Sequence, residues 1–376
     1  MLPSDDTAPG SASTPFPPPP PPAPRVPAGA AVPPVWTAAV AVPVPQAPSA
    51  PAPIVEIIED ASDVEYHRLN LARGREPRWW RPILVGLLGL ALYIGMIIVL
   101  VVPFAVMAAF VPEVMQAFTK VAASGGMDLT DPVTFVVAML SIILLLPALL
   151  IASRIVSGRG LGLLSSVTGR LRWGWMLRCL GIAAAVFALQ TSISMGVSLA
   201  QGEDLFVTGV TVQPWLMLLL VILLVPLQSA TEEYVFRGFL MQAVGSWLKH
   251  PAFAILLPLP LFVFGHLYDV WGMLSVAAFA LAAGWLTWRT GGLEAGIALH
   301  VVNNVSIFVL SSFGLADANS SGGGPVDLLV SVLVLGVTVA AVEWMQRRTP
   351  IARTRTVRRA VLAPLPVPPA AAPSQG

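Results

Sequence analysis

The chain has 376 residues, of which 56% are hydrophobic and 11% charged; its formal net charge is +1 and its mean hydropathy is +0.79. This composition excludes an ordinary soluble domain, in which about a quarter of the residues are charged. The single cysteine, Cys179, excludes an intrachain disulfide and a cysteine-rich metal site. The sequence therefore predicts an all-α, polytopic protein in a lipid bilayer, and we expect no nucleic-acid partner.

The N-terminal region is rich in proline and precedes the first apolar segment. Residues 1–53 hold 18 of the 36 prolines and few charged or aromatic residues that could nucleate a core. This composition is typical of a disordered chain with polyproline II character. Together with the acidic stretch from Glu56 to Glu65, it predicts a disordered cytoplasmic tail over residues 1–65. Its start lacks the pattern of a signal peptide.

Eight apolar segments follow, and each is long enough to be interpreted as a membrane helix. The predicted spans are residues 83–111, 133–152, 176–199, 214–240, 252–268, 272–288, 293–313 and 326–345. The first two form an N-terminal unit over residues 66–150, and the other six form a core over residues 151–345.

Two further segments flank these helices. The loop 157–175 mixes leucine, arginine and tryptophan, which predicts that it lies in the membrane interface. Residues 346–376 are first basic and then rich in proline and alanine, which predicts a cytoplasmic tail that binds anionic lipid.

The distribution of lysine and arginine predicts the orientation of the helices. If the N-terminus is cytoplasmic, every lysine and arginine except Lys120 falls on the cytoplasmic side. Arginine greatly outnumbers lysine, and alanine, glycine and proline are abundant, which indicates a bacterial genome of high GC content. The sequence thus predicts a multi-pass protein of the bacterial inner membrane with both termini in the cytoplasm.

Few ionisable residues lie inside the predicted spans. Burying such a residue in a membrane is costly, so its presence there indicates a functional site. Glu233 and Arg237 are four residues apart with the acid first, which is the favourable order for an ion pair on a helix. Glu232 points about 100° away from Glu233. We therefore expect Glu233 and Arg237 to hold each other while Glu232 faces a cavity.

Two histidines lie in later spans. His266 follows Phe262 by four residues, and His300 precedes Asn304 by four, so each pair shares one helical face. A carboxylate and two imidazoles can supply a base for water and groups that stabilise an oxyanion.

These residues leave three chemical interpretations open. Glu232, His266 and His300 could bind zinc, a composition used by metallopeptidases, although the H-E-x-x-H signature is absent. Glu232 could instead activate water without a metal. The same residues could also form an ion or proton relay in a transporter.

The motifs Glu232-Glu233-x-x-x-Arg237, Phe262-x-x-x-His266 and His300-x-x-x-Asn304 resemble those of the CPBP intramembrane proteases, also called the CAAX protease and bacteriocin-processing or Abi family. The resemblance covers roughly residues 150–345. It implies an eight-helix fold with an active site inside the membrane that is open to the cytoplasm.

The resemblance also assigns roles. It implies that Glu232 is the base for the catalytic water, assisted by His266, His300 and Asn304, and that the substrate is a membrane-associated peptide or protein. A divalent metal such as zinc is a further expectation. The alternatives are a catalytically silent scaffold or bacteriocin-immunity protein with this fold, or an ion-coupled transporter.

Straight helices with the predicted bounds would place Glu232, His300 and His266 at different depths, which conflicts with a shared site. We expect the fourth helix to continue to Trp247, because this stretch contains no proline. A break of the fifth helix at its two prolines is the alternative.

Overall fold

The computed structural model describes residues 55–71, 78–116, 119, 127–158, 162–207, 211, 213–320 and 322–364, with the backbone alone for residues 55–61 and 358–364. In chain order, the main helices are α1 Arg81–Ala108, α2 Pro132–Ile143, α3 Leu145–Ser157, α4 Gly162–Ser165, α5 Trp173–Ala200, α6 Pro214–Glu233, α7 Met241–Trp247, α8 Pro251–Leu256, α9 Leu259–Phe264, α10 Val270–Thr290, α11 Glu294–Ser312 and α12 Pro325–Arg348. A 3-10 helix, Tyr66–Leu71, precedes α1, and a π-helix, Tyr234–Leu240, joins α6 to α7. Two strands, β1 Val55–Glu65 and β2 Thr354–Pro364, flank the helices.

The predicted helical membrane fold is confirmed, but the number of long helices differs. Within the described residues, seven helical segments are long and apolar enough to cross a membrane. The predicted fifth span, 252–268, is instead the short broken helix formed by α8 and α9. Pro258 and Pro260 explain the break, since a proline donates no backbone hydrogen bond and clashes with the preceding turn.

The predicted continuation of the fourth helix is also confirmed. Helical structure runs without a gap from Pro214 to Trp247, through the π-helix that begins directly after Glu233. A π-helical turn widens the backbone locally and is frequent at functional sites. Here it separates the two glutamates at the end of α6 from the residues of α7.

One end of the helical bundle gathers the acidic loops, and we call it the acidic end. The side chain of Asn319 donates to Asp128, which joins the loop before α2 to the loop after α11. A Cβ placed on Gly322 would collide with the carboxylate of Asp269, which caps α10. The acidic end therefore contains Asp128, Asp269, Asp317 and Asp327 and, among the described residues, no lysine or arginine.

The opposite end of the bundle, which we call the arginine end, contains the ends of α10 and α12 and the start of α11. The guanidinium of Arg172 binds Glu294 and also donates to the backbone of Ala352. The side chain of Gln346 donates to the carbonyl of Arg289. The short helices α8 and α9 connect this end to the acidic end. Helix α8 follows Lys249, whose carbonyl bonds His67, and Asp269 at the acidic end caps the start of α10.

The two strands correct the predicted tail boundaries. Residues 55–65 were expected to belong to a disordered tail, but they form β1, which pairs antiparallel with β2 from the C-terminal segment. In the part where side chains are described, the hydroxyl of Thr356 in β2 donates to Asp63 in β1. The expectations for residues 1–54 and 365–376 lie outside the described residues.

The loop predicted to lie in the membrane interface packs on the protein through part of its length, and its place relative to a membrane stays a prediction. Leu164, Ser166 and Val167 are buried. Val167 donates to the carbonyl of Gly291, and Ser166 forms a β-bridge with Gly292. The left-handed backbone of Gly291, with φ 71°, permits the tight turn between α10 and α11 that receives this loop.

Candidate active site

The side chain of Glu233 is the centre of a buried polar cluster and has no exposed surface. Arg237 donates to Oε1 of Glu233 at 2.8 Å, so the predicted i, i+4 ion pair is present. The second arm of the guanidinium donates to the carbonyl of Ala280 at 3.3 Å. The pair thus fixes the end of α6 to α10. The other carboxylate oxygen, Oε2 of Glu233, is buried without a hydrogen-bond partner, so the pair is not fully satisfied.

His300 lies between the two glutamates. Its Nδ1 is 2.9 Å from Oε1 of Glu233, and its Nε2 is 3.5 Å from Oε2 of Glu232. Since the Glu233 carboxylate paired with Arg237 accepts but does not donate, Nδ1 of His300 carries the proton of this bond. In the neutral ring, Nε2 is then the unprotonated nitrogen that faces Glu232.

Glu232 is 8% exposed, and its Oε2 has no hydrogen-bond partner in the structure. We expected this carboxylate to face a cavity, but it is not among the residues that line the large cavity described below. It is packed instead against the edge of His300, which does line that cavity. A buried carboxylate oxygen without a partner is costly, which is typical of a functional group.

Asn304 belongs to a second polar group, whose other members on α6 were not predicted from the sequence. Its side-chain amide donates to Oε1 of Gln228 at 3.2 Å, and Asn303 donates to Oδ1 of Asn304 at 2.9 Å. The hydroxyl of Ser229 donates to the same oxygen of Gln228. Gln228 is one helical turn before Glu232, and this spacing was the signal that could have identified it.

The ring of Phe262 contacts Arg237, His266 and His300, and so connects His266 to the site. The Arg237 guanidinium lies 4.3 Å from the centre of the Phe262 ring. The centres of the His266 and His300 rings lie 4.8 Å and 6.2 Å from the same ring. Nδ1 of His266 donates to the carbonyl of Phe262 at 2.8 Å, so in the neutral ring Nε2 is the unprotonated nitrogen.

The predicted metal trio has suitable donor chemistry. The two Nε2 atoms of His266 and His300 and the free oxygen of Glu232 are all potential ligands. However, no three His, Cys, Asp or Glu side chains in the described part of the chain stand at metal-ligand spacing. This structure therefore does not assemble the trio, and zinc binding stays a prediction.

A cavity of about 610 Å³ adjoins the cluster. His266, His300, Asn303 and Asn304 line its inner part. Its rim is formed at the acidic end by Asp317, Ser320, Gly322, Gly323, Gly324 and Asp327. The cavity is thus large enough for several side chains of a bound peptide and leads from the acidic end to His300.

The charge distribution predicts that the arginine end is cytoplasmic, and the family resemblance implies a site open to the cytoplasm. Both stay predictions for this chain.

Comparisons with known proteins support the family predicted from the three motifs. Residues 211–306 match a model of the family described as type II CAAX prenyl endopeptidase, Rce1-like. This range contains all six predicted site residues and Gln228. The match confirms the predicted resemblance and, with the seven long apolar helices, identifies a multi-pass membrane protein.

A curated relative is similar to this chain over a segment about as long as the family match. The uncharacterized protein YyaK of Bacillus subtilis (strain 168) is 32% identical over 110 residues, which are 27% of this chain and 36% of YyaK. This chain therefore aligns with little more than a third of that relative. No solved structure matches the chain.

Proposed function

Because residues 211–306 match the Rce1-like family of type II CAAX prenyl endopeptidases, we propose that this chain is an intramembrane endopeptidase that cleaves a membrane-associated peptide. The observation that carries the proposal is the contact between His300 and both glutamates. It joins an unpartnered carboxylate, an imidazole and a fixed ion pair within one buried cluster beside a cavity.

Glu232 is the base in this proposal. Its free Oε2 takes a proton from a water molecule as the water oxygen attacks the peptide carbonyl carbon. The attack forms a carbon–oxygen bond and leaves a negative charge on the former carbonyl oxygen. The proton on Glu232 then passes to Nε2 of His300, which is 3.5 Å away.

His300 returns this proton to the leaving nitrogen, and the carbon–nitrogen bond breaks. Glu233 supports the step because its negative charge, 2.9 Å from Nδ1, stabilises the protonated ring. Arg237 holds Glu233 in position and is a positioning residue. The products are a carboxylic acid and an amine, so all atoms of the added water are accounted for.

His266 and Asn304 stabilise the oxyanion in this scheme. Nε2 of His266 can donate to the oxyanion if the ring enters the reaction protonated on both nitrogens, with Nδ1 bonded to the carbonyl of Phe262; this proton then stays on His266 and is not one of those transferred. The amide of Asn304 is a donor in any protonation state, and Gln228 fixes its direction. The two residues line the inner part of the same cavity.

A metal is an alternative electrophile for the same step. Zinc bound by Glu232, His266 and His300 would polarise the carbonyl and lower the pKa of bound water. These three residues do not stand at metal-ligand spacing in the described structure. The proposed proton transfers therefore use only side chains of the chain.

The experiment that tests the proposal uses the purified full chain in liposomes with a mixture of membrane-associated peptides in H₂¹⁸O. Mass spectrometry should find new peptide termini that carry ¹⁸O with the wild type and none with Glu232→Gln. Glu203→Gln is the matched control, because Glu203 is an exposed residue outside the cluster. A catalytically silent scaffold would produce no labelled termini with any of the three proteins.

A further inference from the structure

Glu233 has one carboxylate oxygen that its ion pair does not use. Its Oε1 accepts from both Arg237 and His300, whereas its Oε2 is buried without a hydrogen-bond partner among the described residues. A carboxylate held through one oxygen can still turn about its last side-chain torsion, because that torsion has a broad energy minimum. Such a turn would move Oε1 away from His300. The contacts of Oε1 alone therefore leave the carboxylate incompletely fixed.

Thr287 of α10 provides a second buried atom without a partner. This residue has no exposed surface, and its Oγ1 has no hydrogen-bond partner in the described structure. A threonine hydroxyl inside a helix often donates to the carbonyl one turn earlier. Thr290, for example, donates to the carbonyl of Leu286 at 2.8 Å, but Thr287 makes no such bond. Because a buried hydroxyl without a bond is costly, we looked for an acceptor outside its own helix.

Both unpartnered atoms lie beside Gly296 of α11. A Cβ placed on Gly296 would be 2.9 Å from Oε2 of Glu233 and 3.2 Å from Oγ1 of Thr287. The lack of a side chain at Gly296 thus lets both groups approach the same point. Glycine is unfavourable inside a helix relative to alanine, so a glycine at such a position usually has a packing reason. Here the reason is the close approach of the carboxylate and the hydroxyl.

We propose that Thr287 is a positioning residue whose hydroxyl donates to Oε2 of Glu233, directly or through one water molecule. Arg237 and Thr287 then hold the two oxygens of this carboxylate, so Oε1 stays directed at Nδ1 of His300. A hydrogen bond to an ionised carboxylate is stronger than one between neutral groups. The inference rests on the proposed function, in which Glu233 stabilises the protonated ring of His300.

Thr287→Val tests the role in cleavage, because valine has nearly the shape of threonine but no hydroxyl. Thr287 acts through Glu233 and does not line the large cavity, so kcat should fall while KM stays unchanged. We expect a fall of about 10-fold, the order of one hydrogen bond to a charged group. Thr287→Ser keeps the hydroxyl and should restore most of the rate. The matched control is Thr338→Val, because the buried hydroxyl of Thr338 bonds the carbonyl of Val334 in its own helix; its kcat should equal that of the wild type.

Thermal unfolding of the full chain in detergent tests the contact without any measurement of cleavage. Thr287→Val should lower the unfolding midpoint of the wild type, because the variant leaves Oε2 of Glu233 without its donor. The same substitution should not lower the midpoint of Glu233→Met with Arg237→Met, in which the carboxylate is absent. Glu233→Leu with Arg237→Met replaces this background if the first one does not give a monodisperse protein. An equal drop in both backgrounds would overturn the inference.

Two kinetic results would also overturn it: a Thr287→Val protein with the kcat of the wild type, or a Thr287→Ser protein as slow as Thr287→Val. If the wild type cleaves no peptide, the proposed function fails, but the unfolding midpoints still decide whether Thr287 bonds Glu233. If the wild type cleaves and the midpoints show no coupling, only the role of Thr287 fails. The two failures are thus distinguished.

Discussion

Nε2 of His300 lies 3.5 Å from Oε2 of Glu232, and neither atom is hydrogen-bonded to another side chain in the described structure. Two such atoms this close repel each other unless one carries a proton or a water molecule bridges them. The two side chains can therefore hold one proton between them, accept it from water and donate it to the leaving amine. It is the feature on which the proposed chemistry depends.

Loss of the ion pair should reduce stability as well as activity. Arg237→Met removes the cation and leaves Glu233 as a buried charge, which costs about 3–5 kcal/mol when one partner of a buried pair is lost. We expect a lower midpoint of thermal unfolding in detergent. The double variant Glu233→Gln with Arg237→Met should recover part of that loss, and an equal or lower midpoint would contradict this view of the pair.

The Gln228 network predicts an effect on rate without an effect on fold. Gln228→Leu removes the acceptor of the Asn304 amide, so this amide is no longer directed. We expect kcat to fall by about 10–100-fold, the order of one misplaced hydrogen-bond donor, while the unfolding midpoint changes little. Gln228→Glu keeps an acceptor at the same position and should retain more activity than Gln228→Leu. Equal rates for both variants would show that Gln228 does not act through Asn304.

Phe262 should affect the rate of cleavage, because its ring contacts the guanidinium of Arg237 and the rings of both histidines. Phe262→Leu keeps an apolar side chain but removes the aromatic face 4.3 Å from Arg237 and 4.8 Å from the His266 ring. Cation–π contacts contribute roughly 0.5–2 kcal/mol. We therefore expect slower cleavage, with Phe262→Tyr nearer to the wild type. The control is Phe253→Leu, because Phe253 is an exposed aromatic residue of α8 outside this cluster.

The 3-10 helix at the arginine end predicts a pH dependence of stability. Burial lowers the pKa of His67, whose Nε2 bonds the carbonyl of Lys249. The unfolded chain therefore binds a proton more readily, so stability from this residue is complete above the unfolded pKa of about 6.5 and is lost as the pH falls below it. The unfolding midpoint should drop between pH 7.5 and 5.5, and His67→Gln should reduce the drop. An unchanged pH dependence in His67→Gln would assign the effect to other groups.

Local spacing predicted the parts of the site that lie on one helix. The Glu233–Arg237 pair follows from an i, i+4 separation, and the placement of His300 and Asn304 on the same cavity wall follows from the same spacing. The bond from His300 to Glu233 joins α11 to α6 and depends on helix packing, so helical periodicity alone does not predict it. The same is true of the burial of Glu232 against His300.

The fold was predicted with similar limits. Apolar length alone identifies the seven long helices, whereas the short broken helix α8–α9 resembles a full span in its composition. The pairing of β1 with β2 joins segments almost 300 residues apart, which no local pattern records.

The most direct test of the central claim is the single-turnover rate of peptide cleavage in liposomes, measured for the wild type, Glu232→Gln and the matched control Glu203→Gln. The proposed base predicts a loss of about 10²–10⁴-fold for Glu232→Gln, which is the usual contribution of general base catalysis, and a normal rate for Glu203→Gln. Equal unfolding midpoints for all three proteins would show that the loss is chemical. A Glu232→Gln protein that cleaves at the wild-type rate would contradict the account.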